Sequence, residues 1–310
     1  VKPVAGSRGP YLALIVVQVL FASNAIVGRL VLATVPAGLL VGCRVVGAAL
    51  ALGLLNLARG GPWIRDRRTL AHVALCGLLG VTGNQSLFVF GLSHTTAVNA
   101  TILTTTAPVF TVLGALLLGQ ERPSAGKLWG IGVAGLGAIY LVGPDRLSFA
   151  PGVALGNLLI LLAMLCYAGY FLLSKPLLRQ LDALTASTYI MAFAMVGTLP
   201  IAAPSLRGGA VAAVTPGAWA LVGFIVLFPT ILAYLLNLWA LRRVSPQTVA
   251  SFIYLQPLLA ALVAPLVLPD EGLSGRTLAA GLLIFAGLGL VIHAERMEGA
   301  GPGVGAGIPE

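Results

Sequence analysis

Charge is what this 310-residue chain has least of. Lys, Arg, Asp and Glu make up 9% of it, against about 25% in an ordinary globular domain. The nine acids, Asp66, Glu121, Asp145, Asp182, Asp270, Glu271, Glu295, Glu298 and Glu310, all fall outside the middle of any apolar run. That weakens a carboxylate proton relay, the usual device of a proton-coupled pump, and favours facilitated diffusion or exchange. Histidine is reduced to the isolated His72, His94 and His293, which make no metal site. Cys43, Cys76 and Cys166 lie in apolar runs without paired spacing and read as small buried hydrophobes. A Walker-type phosphate loop is missing, so ATP is not the driver. With no Ser/His/Asp or metal constellation either, neither an enzyme nor a cofactor is expected.

What is present is apolar: 58% hydrophobic residues and a mean hydropathy of +1.01. A membrane-spanning helix needs roughly 20 such residues. Ten candidates follow one another at 11–32, 36–58, 69–91, 96–118, 125–143, 153–174, 183–203, 217–240, 246–268 and 275–293. The fold class expected is an all-α integral membrane protein with ten transmembrane helices, the first an uncleaved anchor. The net charge of +9 invites a nucleic-acid reading, but the basic residues are scattered over helix ends as the positive-inside rule requires. With ten spans, 13 Lys and Arg fall on the side of both termini and 4 on the other. Both termini are therefore expected in the cytoplasm, in a bacterial inner (plasma) membrane. The partners are the lipid bilayer and a small-molecule substrate, not nucleic acid.

The chain also repeats itself. TTAVNATILTTTAPVFTVLGALLLGQE (95–121) is echoed by SPQTVASFIYLQPLLAALVAPLVLPDE (245–271). A shift of 149 lays Pro108 on Pro257, and a shift of 150 lays Glu121 on Glu271 and Gly137 on Gly287. FASNAIVGRL (21–30) aligns with YAGYFLLSKP (167–176), putting Arg29 on Lys175. Five spans per copy is an odd number, so the second copy enters the membrane upside down, the inverted-repeat plan of many secondary transporters. The loops agree, with four arginines in 59–68 and one in 204–217. The expected units are a first repeat over 8–145, a second over 151–297, and a disordered cytoplasmic tail over 298–310. Glycines on the fifth and tenth spans, among them Gly130, Gly137, Gly281 and Gly287, let helices approach closely, within the chain or at a homodimer contact.

The stretch NQSLFVFGLSHTTAVNATILTTTAPVFTVLGALLLGQERPSAGKLWGIGVAGLGAIYLVG (84–143) resembles the EamA-like, ten-helix branch of the drug/metabolite transporter superfamily. The matching features are Gly91-Leu92, Thr96-Ala97, Pro108, Glu121-Arg122 and Gly130, with Arg44 at the position of the family's second-helix arginine. The second half departs from the pattern, because Gly272 follows Glu271 and Ile190 stands where a second-helix arginine would recur. The resemblance implies transport of amino acids, other small metabolites, drugs or nucleotide sugars.

Three groups are candidates for the work. Arg44 is the one charge well inside a span, about 12 Å along its helix from Pro36. It is read either as an anchor for a substrate anion or as a structural arginine on neighbouring carbonyls. Pro108, Pro229 and Pro257 fall mid-helix and free the carbonyls of Thr104, Ile225 and Ile253. They are read as hinges or as static kinks. Asn24, Asn84, Gln85, Thr101, Thr105, Tyr170, Tyr234, Asn237, Tyr254 and Gln256 either line a shared cavity or glue helices together. Thr101, Thr105 and Pro108 share one face if their helix is continuous. Tyr167 and Trp239 read as packing or interface anchors. The function expected is secondary transport of a small organic solute, most simply an amino acid or related metabolite, by alternating access. The rivals are a proton-coupled drug exporter and a lipid-carrier flippase.

Overall fold

The computed structural model describes residues 8–95, 97–120, 123–143, 147–206, 211, 214–259, 262 and 275–300. Among them there are helices and turns and no strand. The elements, in chain order, are α1 (Gly9–Leu32), α2 (Ala37–Ala58), α3 (Arg67–Gly77), α4 (Asn84–Ser93), α5 (Ala97–Thr104), α6 (Ala107–Leu117), α7 (Ala125–Val142), α8 (Pro151–Leu177), α9 (Ala183–Ala202), α10 (Pro216–Ile225), α11 (Ala233–Leu241), α12 (Pro246–Ser251) and α13 (Gly275–Ala300). A π-helical turn at Leu78–Gly83 joins α3 to α4, and a second at Val226–Leu232 joins α10 to α11. Among the described residues, eight helical stretches are long and apolar enough to cross a membrane, and Gly9–Asn24 is a shorter apolar one.

Polar residues start the helices where the sequence turns. Asp66, Ser124, Asp182, Thr215 and Ser245 each accept from a backbone N–H of the first turn, satisfying donors that no helix can satisfy internally. The exterior is apolar: Leu117 is 87% and Leu282 73% exposed. The interior holds much of the polarity, including Gln85, Asn99, Thr111, Thr230 and Asn237. That inversion suits a hydrocarbon solvent, in which polar side chains must find partners inside the bundle.

The main helix pairs are α7 with α13, α2 with α9, α4 with α8, and α1 with α11. The first is the most extensive. A Cβ at Gly130 would lie 2.6 Å from the Gly287 carbonyl oxygen, and one at Gly287 2.4 Å from the Ala134 nitrogen. Backbone meets backbone there, the contact for which small residues are used in lipid.

One expectation gains detail and another is corrected. At Pro108 the regular helix ends at Thr104 and resumes at Ala107 with Pro108 in its first turn, inside the single helical stretch Asn99–Leu117. In the gap, the N–H groups of Thr105 and Thr106 bond three residues back, to Ile102 and Leu103. The hydroxyls of Thr104, Thr105 and Thr106 bond the carbonyls of Thr101, Ile102 and Leu103. Proline lacks the donor that the helix ladder needs, and three threonines supply local substitutes. The common face expected for Thr101, Thr105 and Pro108 is therefore interrupted. The tail expected to be disordered from 298 is the correction. α13 continues to Ala300, and Glu298 is held by Lys127. Residues 301–310 lie outside the described part, as do Glu121, Arg122, Asp270 and Glu271.

Candidate functional site

The polar interior concentrates around the second π turn and the start of α11, from which Tyr234 reaches the first π turn. Pro229 sits inside the second turn and leaves the Ile225 carbonyl without its i+4 donor. The Thr230 hydroxyl donates to that carbonyl at 2.8 Å. Thr230 is fully buried, and its Oγ1 in turn accepts from Arg44 Nε at 3.1 Å. Among the described residues this is the only hydrogen bond of the Arg44 side chain, and no carboxylate pairs with it. A proline-induced defect in one helix thus fixes the cation of another.

The first π turn contributes in a parallel way. Its Gly80 carbonyl accepts from the Tyr234 hydroxyl at 3.1 Å, and that same hydroxyl accepts from Gln85 Nε2 at 3.2 Å. Tyr234 follows Thr230 by about one turn, so Arg44 and Tyr234 belong to one cluster. Tyr170 packs across Gly80, where any Cβ would fall 2.3 Å from the tyrosine ring. Its ring lies 6.2 Å from that of Tyr234 and 6.0 Å from that of Tyr167. Asn237 Nδ2 donates to the Tyr167 hydroxyl at 3.2 Å.

Several polar atoms in this interior have no protein partner among the described residues: Gln85 Oε1, Tyr170 OH and Asn237 Oδ1; Asn24 Oδ1, on α1, is likewise unpartnered, with no contact to the cluster among the described residues. Buried polar atoms are rarely left so, since each forfeits about 1–3 kcal/mol. They accompany an arginine that pairs with no carboxylate among the described residues.

The structure therefore gathers Arg44, Gln85, Tyr170, Tyr234 and Asn237, and disperses the rest of the expected set. Asn84 Nδ2 donates to the Ala163 carbonyl at 2.9 Å, fastening α4 to α8. Gln256 Nε2 donates to Gln18 Oε1 at 2.8 Å, fastening the segment after α12 to α1. Thr105 caps its own helix, and the Thr101 carbonyl is capped by Thr104. Tyr254 is buried beside Gly135 of α7. Pro257 follows a tight turn at Phe252–Tyr254.

Thr230 carries no signal of its own in the sequence, although it follows a mid-helix proline. Gly80 is one of the small residues by which the third span approaches a neighbour closely, here Tyr170. Tyr167 packs on Tyr170 and Phe171, as expected of an anchor, and its hydroxyl also accepts from Asn237.

A second polar cluster lies at one end of the bundle. Lys127, 2% exposed, pairs with Glu295 at 2.7 Å and with Glu298. Glu295 also accepts from the Ser245 N–H and hydroxyl, both at 2.7 Å, and from Thr248 Oγ1 at 2.6 Å. The end of α13 thereby grips the starts of α7 and α12. At the same end Lys175 Nζ caps the carbonyls of Leu241 and Val244. Arg59 Nη2 bonds both Asp182 oxygens, at 2.8 and 2.9 Å. Among the described residues, no group of three or more His, Cys, Asp or Glu is placed to hold a metal ion.

Known proteins resemble this chain over most of its length. The model of the EamA-like transporter family matches residues 8–143 and, separately, 154–293. A protein of Streptantibioticus cattleyicolor named a probable terminal-alkyne amino-acid exporter is 31% identical over 264 residues, covering 83% of this chain and 84% of its own. The inner membrane transporter YedA of Escherichia coli (strain K12) is 29% identical over 291 residues, 88% of each chain. The transporter YetK of Bacillus subtilis (strain 168) is 26% identical over 266 residues, 84% of this chain and 80% of its own. A solved crystal structure superimposes with a TM-score of 0.75 over 94% of this chain and 99% of that one, at 21% identity. That last likeness concerns the fold alone.

Proposed function

The chain belongs to the EamA-like transporter family, an integral membrane protein and not an enzyme, and we propose that it carries a small amino acid or related carboxylate metabolite by alternating access. The observation that carries this reading is Arg44. A guanidinium at the centre of a helix costs about 2.5–3.5 kcal/mol to insert, and among the described residues this one is held by a single hydroxyl with no carboxylate opposite. A substrate carboxylate completes it with charge-assisted hydrogen bonds, while Tyr170, Tyr234, Gln85 and Asn237 receive the polar remainder. The name of the Streptantibioticus relative supports the amino-acid class.

Ten spans arranged as two inverted five-helix repeats, with both termini in the cytoplasm of a bacterial inner membrane, complete the proposal. The family model matching once in each half supports it, and so does the packing. Exchanging the halves turns the α4–α8 contact into the α11–α1 contact. The two π turns also sit at matching places, 78–83 and 226–232. Transport is by facilitated diffusion or exchange, because among the described residues no carboxylate joins the Arg44 cluster.

Uptake of radiolabelled amino acids by counterflow into proteoliposomes tests this, with Arg44→Lys and Arg44→Gln compared at equal incorporation. Arg44→Gln should abolish counterflow, Arg44→Lys should retain a part, and collapse of an imposed pH gradient should leave the wild type unaffected. Undiminished counterflow in Arg44→Gln refutes the anchor, and abolition by the collapsed gradient refutes uncoupled transport.

A further inference from the structure

A groove of about 550 Å³ runs between α1, the start of α9 and the second π turn with α11. Its walls are apolar, formed by Ala13, Leu184, Leu232 and Leu235, and Trp239, Arg242 and Arg243 close one end. From Leu232 to Arg243 is eleven residues, about 16 Å at helical rise. Half of a roughly 30 Å hydrocarbon core is nearly the same, so the trough is as deep as one leaflet. Tryptophan at its mouth is the residue type that favours the headgroup level.

The charged end is unbalanced. The Arg243 guanidinium lies 3.8 Å from the Trp239 ring centroid and donates to the Trp239 carbonyl at 2.8 Å. Arg242 has no side-chain partner among the described residues. Burial, and then the neighbouring Arg242 charge, lower the Arg243 pKa, as expected of two cations held together without an anion. Asp182 also lines the groove, but its carboxylate is committed to Arg59 at 2.8 Å.

We propose that this groove seats one anionic glycerophospholipid from the adjoining leaflet, its phosphate between Arg242 and Arg243 and one acyl chain along the leucine wall. Basic pockets between membrane helices recognise anionic headgroups on electrostatic grounds, and here the apolar trough adds a fixed place for the chain. Leu232 is the last residue of the π turn that carries Thr230, so a seated chain presses on the segment that holds Arg44. The lipid thereby becomes a structural partner of the site.

The test is native mass spectrometry of the delipidated full chain in detergent, offered phosphatidylglycerol and phosphatidylcholine at equal concentration. The wild type should retain one phosphatidylglycerol with at least a tenfold preference over phosphatidylcholine. Arg242→Gln/Arg243→Gln should lose the preference. Leu235→Trp, which fills the trough and keeps both arginines, should lose the retained lipid while melting as a folded protein. Arg67→Gln/Arg68→Gln removes the same charge elsewhere and should behave as wild type. Absence of preference in the wild type, wild-type retention by Leu235→Trp, or equal loss in Arg67→Gln/Arg68→Gln overturns the proposal.

Discussion

Gln85 and Tyr234 stand 149 residues apart, the offset that separates Pro108 from Pro257, and they hydrogen-bond to each other at 3.2 Å. Matching positions of two copies can touch only near the axis that relates the copies. The contact therefore favours a two-fold arrangement with the Arg44 cluster beside its axis, where transporters of repeated build bind their solutes.

The pair should be energetically coupled. Tyr234→Phe removes the donor to the Gly80 carbonyl and the acceptor for Gln85, and is expected to destabilise by about 1–3 kcal/mol. In a cycle with Gln85→Leu, the double variant should depart from additivity by about 0.5 kcal/mol or more. Thermal unfolding in detergent measures all four corners of the cycle. Strict additivity would show that the bond contributes nothing to the folded state.

Thr230→Val should release Arg44 and leave the Ile225 carbonyl bare at once. The expected results are a loss of about 1–3 kcal/mol in stability and a severalfold rise in apparent KM for the transported solute. Thr230→Ser should restore both. Proteoliposome uptake and melting curves, read together, separate a positioning role from a purely structural one.

Lys127→Met should leave the partly buried Glu295 with only Ser245 and Thr248 as partners. Breaking one side of a buried pair costs about 3–5 kcal/mol. Adding Glu295→Gln should recover part of that loss. A melting temperature for Lys127→Met within a degree of wild type would mean that the cluster is a passive contact.

Of this architecture, much was readable from residue order alone. The apolar runs at 36–58 and 183–203 agree with α2 and α9 to within a residue, because length and hydropathy suffice to define a helix that lipid surrounds. Arg44 announced itself by being charged where charge is costly. The π turns were not readable, since an inserted residue changes hydrogen-bond register without changing composition, and the first turn has no proline to mark it. The ion pairs of Lys127 are not readable, because its acidic partners come 168 and 171 residues later and no local pattern connects them. Thr101, Thr105 and Tyr254 belong to the expected set as polar residues on spans beside mid-helix prolines, and residue type alone does not show that the Thr105 hydroxyl is spent on the Ile102 carbonyl or that Tyr254 packs beside Gly135.

Strong acid should weaken the Arg59–Asp182 contact. Burial raises the Asp182 pKa, but hydrogen bonds from Thr185 and Arg59 outweigh it, so its carboxyl titrates below the ordinary aspartate value, about 3.9. A group with a lowered folded-state pKa adds stability above its unfolded pKa and loses it as pH falls through the folded one. The melting-temperature gap between wild type and Asp182→Asn should hold constant from pH 8 to about 5 and close below about 3.9. A gap that stays constant down to pH 3 would exclude the charge as its origin.

Each π turn also advances its helix by one extra residue, about 100° of azimuth at 3.6 residues per turn. The stripe of α3 that faces the bundle is therefore not the stripe its spacing would continue into α4, and the same holds for α10 and α11. Saturation mutagenesis of either span should show this directly. The periodicity of tolerated substitutions should slip in phase by one position across residues 78–83 and again across 226–232. A single amino-acid deletion inside either turn should turn it into regular α-helix, remove the slip, and leave the side chains that follow facing as before.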